Sequence, residues 1–495
     1  MYPTQGTRSR SNCRFPLLML VTMRGAWAKF NPPGYSGVGV TTELSQFSAE
    51  LTADQVPPEV VGRARLLVLD LVGNIIRGRE TESTPALLAT IGALGLAEGA
   101  SRVFGDPHTY SPAGAALLQG ALAHSLDFDD THAAGTLHPG APVIPAALAA
   151  AQMTNASGAT TLTAIIAGYE VICRLALALP AGEHYERGFH PTATCGVFGA
   201  AAAAARVFGL DAEGVASALG IALSQTAGSL QFLQNGGWTK RFQVGWSAMA
   251  GLVAATLASK GFKGAGEAVE GTHGFLRSYA PAPSPPRVTQ DLGTVFELMA
   301  TGVKPYPSCR YGHAGIDAAL ALRAEHDLQP HEISSVVYGL SKAGMLLVGE
   351  PAPKKADPRN IVDGQFSAPF VLSAALATGA MGWDTYNLLH DSRIRTLLPK
   401  IHCEFDPEIE AEFPVNMSGK LTVHARGRVF VKKVVVPRGE PGNFLSREEL
   451  LAKFNNLSEP ALGRVPAAKL ADAILDMDRL KEVSELFDPG AGRSP

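Results

Sequence analysis

His190-Pro191-Thr192-Ala193-Thr194-Cys195-Gly196-Val197-Phe198-Gly199, continued through the alanines at 200–205 to Arg206-Val207-Phe208, is the stretch on which the fold turns. From Thr192 to Phe208 it predicts a helix that is apolar on most of its faces, the mark of a helix buried in a multi-layer body rather than lying on its surface. Side chains this small let neighbouring helices approach closely. The alanine run is broken by Arg206 and is too short to span a membrane.

Similar periodic patterns lie on both sides, over 60–77, 85–98, 112–125, 143–153, 161–179, 212–227 and 243–260, punctuated by glycines and prolines. Near Lys304 the register changes. Residues 333–340 are rich in β-branched and aromatic side chains, 357–379 reads as helix, and Lys420 to Ala425 and Arg428 to Val436 form a hairpin candidate around Arg426-Gly427. Val423, Ala425, Val429 and Val431 supply its strand-like alternation. After Pro437 the chain returns to helix. The expected fold class is mainly α with an α+β second domain: 1–40 an extension, 41–301 a helical domain, 302–438 a smaller α+β lid, and 439–488 helices returning to the helical domain.

The 495 residues are 46% hydrophobic and 18% charged, with a net charge of −3, a globular composition with ample burial. With no basic tract beyond the N-terminus, nucleic acid is not an expected partner, and no apolar stretch suggests a membrane. Cys13, Cys173, Cys195, Cys309 and Cys403 are far apart, with neither metal spacing nor a disulfide framework, which fits a reducing compartment. The acid-free, arginine-containing first forty residues leave a mitochondrial transit peptide, a weak secretory signal and an over-extended start before Met23 or a later codon all open. The expected location is the cytoplasm or the mitochondrion.

Against this apolar background one cluster stands out. Leu126-Asp127-Phe128-Asp129-Asp130-Thr131-His132 is followed by His138-Pro139-Gly140, between two alanine-rich helical patterns. Burying charge costs several kcal/mol unless it is paired or used, so the reading is an active-site loop. Four further spots hold chemistry. These are His190 before the alanine helix, Lys240-Arg241 after a glycine loop, Lys304 with Arg310 and His313, and Asp363 and Gln365 in an expected loop at 360–367. Taken singly, each could be a cap, a solvated turn or a snorkelling cation. Together, lysines and imidazoles suit a ligand with two or three carboxylates, and reactions beside a carboxylate need cations to hold charge and a group to move one proton. A carboxylate-binding protein without catalysis is the alternative outside enzymes.

These residues resemble the MmgE/PrpD family, from about Thr42 to Phe487. The specific pieces are the D-F-D-D-T loop with its downstream H-P, the F-H-P-T-x-x-x-G-x-x-G-A-A-x-A-A segment and the lysine opening K-x-Y-P. The resemblance implies a helical domain with an α+β lid, a homodimer, and a site between the domains with no metal and no cofactor, acting on a small polycarboxylate. It implies a cofactor-independent lyase of the kind that turns cis-aconitate into itaconate and CO2, with a 2-methylcitrate dehydratase or iminodisuccinate epimerase activity as alternatives. It assigns Asp127, Thr131, His138 and His190 to catalysis, and Lys240 and Lys304 to substrate carboxylates. Arg310 and His313 join them as expected substrate-binding groups. In this scheme Asp127 sets the state of His138. Cys309 stands where the animal decarboxylase has a histidine.

Overall fold

The computed structural model describes residues 39–488; the expected extension at 1–40 lies outside them up to position 38. Eight longer helices build the first part: α1 (Val40–Glu50), α2 (Pro58–Gly78), α3 (Pro112–Ala123), α4 (Gly140–Thr154), α5 (Gly158–Leu177), α6 (Gly196–Val207), α7 (Ala212–Leu223) and α8 (Thr239–Ser259). The alanine helix α6 is the centre. Every residue of it except Arg206 is buried, and it packs against α4, α5, α7 and α8. Small residues make this possible: a Cβ on Gly251 of α8 would lie 2.5 Å from the Ala200 Cβ of α6. The fold is mainly α with a smaller α+β region.

Several boundaries differ from the expectation. The predicted helix 192–208 breaks at Cys195 into a short Pro191–Thr194 turn and α6. The segment 85–98 is helical only over Thr84–Ala93 and then turns at Gly95, whose φ is 70°. Among the described residues two helices, α5 and α8, are long and apolar enough to cross a membrane, which the sequence reading did not expect. The apolar window of α5 is 89% buried inside the fold and that of α8 is 50% buried, so α5 is a core helix and α8 has one uncovered face.

A two-residue strand, β1 (Thr131–His132), pairs antiparallel with β2 (Thr301–Gly302), Thr131 opposite Gly302. The larger sheet holds β3 (Ile333–Leu340), β4 (Ile401–Phe405), β5 (Gly419–Ala425) and β6 (Arg428–Val434), in the order β4-β3-β5-β6. β3 and β4 run parallel and the other pairs antiparallel. The β5–β6 hairpin closes on Arg426-Gly427, both at positive φ (53° and 66°), as a two-residue turn that matches strand twist requires. Its alternation is real, but the four residues that supply it do not share a face. Val423 and Ala425 are buried, whereas Val429 and Val431 are each 57% exposed and Phe430 points inward, because Val423 pairs with Phe430.

Helices α9 (His313–His326) and α10 (Ala368–Thr378) cover one face of this sheet region. The segment read as one helix over 357–379 is two helices after a non-helical start, with Asn360 and Ser367 as N-caps of Ile361–Gln365 and α10. The last helices, α11 (Arg447–Leu462) and α12 (Arg464–Leu475), pack on α2. Two hydrophobic cores result, one among the helices and one under the sheet. Leu126 and Phe128 belong to the second core although α3, which leads into them, belongs to the first.

Candidate active site

With Leu126 and Phe128 anchored in the second core, Asp127 adopts φ 53°, a left-handed conformation uncommon for a side chain other than glycine. Its Oδ1 accepts from Lys240 Nζ at 2.6 Å and lies 3.2 Å from Lys304 Nζ, while Lys304 also donates to the Asp127 carbonyl at 2.9 Å. Lys240 comes from the first turn of α8, and Lys304 follows β2, whose pairing with β1 sets it beside the loop. Burial alone would raise the Asp127 pKa. The ammoniums of Lys240 and Lys304 together outweigh it and hold the carboxyl well below its usual range. One carboxylate against two ammoniums leaves a positive charge to spare.

His138 donates from Nδ1 to the Asp130 carbonyl at 2.8 Å, because a carbonyl oxygen can only accept. Its Nε2 therefore carries the lone pair. His190 is fixed in the same way. Gln243 Nε2 donates to the Ser229 carbonyl, so Gln243 Oε1 accepts from His190 Nδ1 at 3.0 Å. Burial, followed by nearby groups, pushes the pKa of both imidazoles well below the ordinary histidine value and keeps them neutral. The Thr192 hydroxyl accepts from the His138 backbone N–H at 3.2 Å and ties the two histidine segments together. Thr131 is buried, and its Oγ1 has no partner among the described residues.

The structure thus gathers Asp127, Lys240, Lys304 and His138, with His190 behind His138 across His124. Arg310 and His313 lie beyond Lys304 on a small cavity that also meets Thr131. The Arg310 charge is paired with Glu440. His313 donates to the Ser308 carbonyl at 3.2 Å, and burial, then Lys304, lowers its pKa to about 3. Asp363 stays in a local cap with Asn360, in a short helix rather than the expected loop, whereas Gln365 donates to the Leu126 carbonyl at 2.8 Å.

Two expectations are corrected. Arg241, read as a solvated neighbour of Lys240, is 8% exposed and donates to Ser83 Oγ at 2.7 Å, because the loop was expected to end where α8 has already begun. The carboxylate beside His138 is Asp129, whose Oδ2 is 3.5 Å from His138 Nδ1; Asp127 is taken by the lysines. Asp130 is held by Tyr169 and the Gly140 N–H, and burial pushes its pKa up to about 8.

Lys453 of α11 was not singled out in the sequence. It reaches Asp70 at 2.6 Å and donates to the carbonyls of Phe128 at 2.7 Å and Lys304 at 2.9 Å, with Phe128 under its ammonium at 3.8 Å. It therefore fixes both segments that form the Asp127–Lys304 contact. The ligand-type atoms of His124, Asp129 and His138 lie within 4.8 Å of one another, close enough to surround a cation. Those groups already hydrogen-bond or crowd one another, and the charges of Lys240 and Lys304 bear on both imidazoles, which disfavours a further cation there.

A mainly helical body that gathers a lysine, aspartate and histidine cluster can hold carboxylates and move one proton, and the family match makes the class a lyase-type enzyme. The chain belongs to the MmgE/PrpD family: residues 42–287 match the MmgE/PrpD N-terminal domain and residues 306–479 the MmgE/PrpD C-terminal domain. Among similar proteins, a cis-aconitate decarboxylase-like protein of Aspergillus oryzae is 27% identical over 90% of this chain and 96% of its own length. The cis-aconitate decarboxylase of Aspergillus terreus is 26% identical over 91% of this chain and 95% of its own length. That of Homo sapiens is 26% identical over 90% of this chain and 93% of its own.

Proposed function

We propose that this chain is a cofactor-independent carboxy-lyase acting on a small tricarboxylate, with cis-aconitate as substrate and itaconate and CO2 as products. The observation that carries the reading is the meeting of two ammoniums on one carboxylate beside a histidine whose Nε2 is unprotonated. The spare positive charge binds substrate carboxylates, and Lys240, Lys304 and His190 hold them. A bound polyanion favours the protonated form of His138, which burial otherwise disfavours. The bond from the carboxymethyl carbon to its carboxylate then breaks. Its electron pair forms a new C=C, the old C=C shifts its pair to the far carbon, and that carbon takes the Nε2 proton. Thr131 orients the substrate through its hydroxyl, which has no partner among the described residues.

Purified protein offered cis-aconitate, 2-methylcitrate, citrate and iminodisuccinate tests this. CO2 release from cis-aconitate is expected. Loss of water without CO2, or deuterium uptake without mass loss, would move the assignment to a dehydratase or an epimerase, and no turnover of any of the four would sink it.

We further propose that the protein works as a homodimer across α8. Phe242, Trp246, Val253 and Leu257 follow helical spacing along its uncovered face and are each at least 37% exposed. Trp246→Glu should yield monomers in analytical ultracentrifugation, and an unchanged mass would reject this face.

A further inference from the structure

We propose that Asp129 and His124 form a buried pair that stabilises the positive charge on His138 during proton transfer, Asp129 by its charge and His124 by fixing the Asp129 carboxylate. The proposal rests on the reading of His138 as the group that moves the proton. Asp129 is fully buried. His124 Nδ1 donates to its Oδ2 at 2.7 Å, and Oδ1 has no partner among the described residues. A buried carboxylate with one neutral hydrogen-bond donor, and a share of the Lys453 ammonium that is bonded to Asp70, is incompletely compensated and favours a further positive charge nearby. His138 Nδ1, 3.5 Å from Oδ2, can supply it.

The geometry separates the two nitrogens of His138. Nδ1–H is committed to the Asp130 carbonyl, so a second proton can enter only at Nε2, and the resulting charge spreads across the ring toward Asp129. No proton need leave His138 for Asp129 or His124, so both are positioning residues. His124 stands at the end of α3, is 1% exposed, and has no Nε2 partner among the described residues. Its ring is edge-on to His138 at 4.8 Å and near-parallel to His190 at 5.7 Å. An apolar ring would fill that space equally well, so its one hydrogen bond, to Asp129, is what distinguishes histidine there.

The charges bearing on His138 come from every side. Asp127 and Asp129 lie on its own loop, His124 on α3, Lys240 on α8, and Lys304 follows β2. The lysines oppose an imidazolium, as His124 would only if it were itself protonated, which its burial disfavours, and Asp129 is the strongest group favouring it.

The test is a pH titration of histidine side-chain nitrogens by NMR on the full chain without substrate, in wild type and Asp129→Asn. His138 in the variant should titrate lower by about one pH unit or more, a tenfold loss of proton affinity. With substrate, kcat should fall on the order of 100-fold while KM stays within about threefold, and the high-pH limb of the rate profile should move to lower pH. His124→Gln, which can still donate to Asp129, should keep activity within about tenfold, whereas His124→Phe should lose as much as Asp129→Asn. If Asp129→Asn does not fold, that Gln and Phe comparison decides the matter, and equal activities would overturn the pair. An unchanged His138 titration in Asp129→Asn would also overturn it, even with full turnover. So would stoichiometric Zn2+ binding abolished by either His124→Gln or Asp129→Asn, which would make the trio a metal centre. Failure of every acid to turn over would strike the decarboxylase reading and leave the substrate-free titration standing.

Discussion

Replacing Lys453 by methionine removes an ammonium that three acceptors share, at nearly unchanged volume. Asp70 is left in the core without its counter-charge, and the carbonyls of Phe128 and Lys304 lose a charged donor. Breaking a buried ion pair from one side costs about 3–5 kcal/mol. With about 2.1 cal/mol/K of unfolding entropy per residue, some 450 folded residues turn that into a fall in Tm of roughly 3–5 °C. Asp70 gives the cost a pH signature. Burial raises its pKa to about 6, against an ordinary value near 3.8, so its ionised form is the destabilised one. Below about pH 4 the carboxyl is protonated in both proteins and the charge part of the penalty vanishes; at neutral pH it is largest. Asp70→Asn/Lys453→Met, which leaves no orphan charge, should recover about 2 kcal/mol relative to Lys453→Met. Activity should fall further than stability predicts, because a displacement of about 1 Å in a positioned group can cost 100-fold in rate. Calorimetry at pH 4 and pH 7 beside turnover assays measures all of this. A Tm change under about 1 °C at pH 7, or a double variant as unstable as the single one, would refute the reasoning.

Lys240→Ala and Lys304→Ala should each lower kcat/KM by about 2–4 kcal/mol of transition-state stabilisation, and effects below tenfold would show that neither holds substrate. Arg241→Ala should lower Tm through loss of its bond to Ser83 and leave kcat/KM near wild type. Asp130, its pKa raised by burial to about 8, contributes stability that is fully present below about pH 4 and is lost as pH rises through about 8. Asp130→Asn should flatten that slope in Tm against pH, and an unchanged slope would assign it to other groups. Hydrogen exchange with a tricarboxylate should protect both 127–138 and 304–313, and protection of one alone would place the ligand away from the Asp127–Lys304 contact.

The helical body was legible because alanine and glycine at helical spacing leave no other way to bury the chain, and the hairpin because Arg426-Gly427 can hold two positive φ angles. Asp127, His138, Lys240 and Lys304 were legible as polar groups in apolar surroundings. What pairs with what was not. Asp127, Asp129 and Asp130 are near neighbours in sequence, and nothing in it tells that the left-handed turn at Asp127 sends the first to the lysines while the next two go to His124 and Tyr169. β1 and β2 are too short to carry a period. Lys453 sits in a helix of ordinary amphipathic composition, where a lysine reads as solvated until the helix is docked on α2.

The Lys453 clamp also orders events in time. Phe128 and its clamping ammonium are 325 residues apart. A ribosome therefore completes the loop bearing Asp127 long before it supplies the group that locks that loop in place. Until α11 has emerged, the nascent chain lacks the ammonium that ties the Phe128 and Lys304 carbonyls together, although Asp127 and Asp130 can already meet Lys240, Lys304 and Tyr169. Chains that stall or are cut short before α11 would be released without that tie, and with Asp70 lacking its counter-charge.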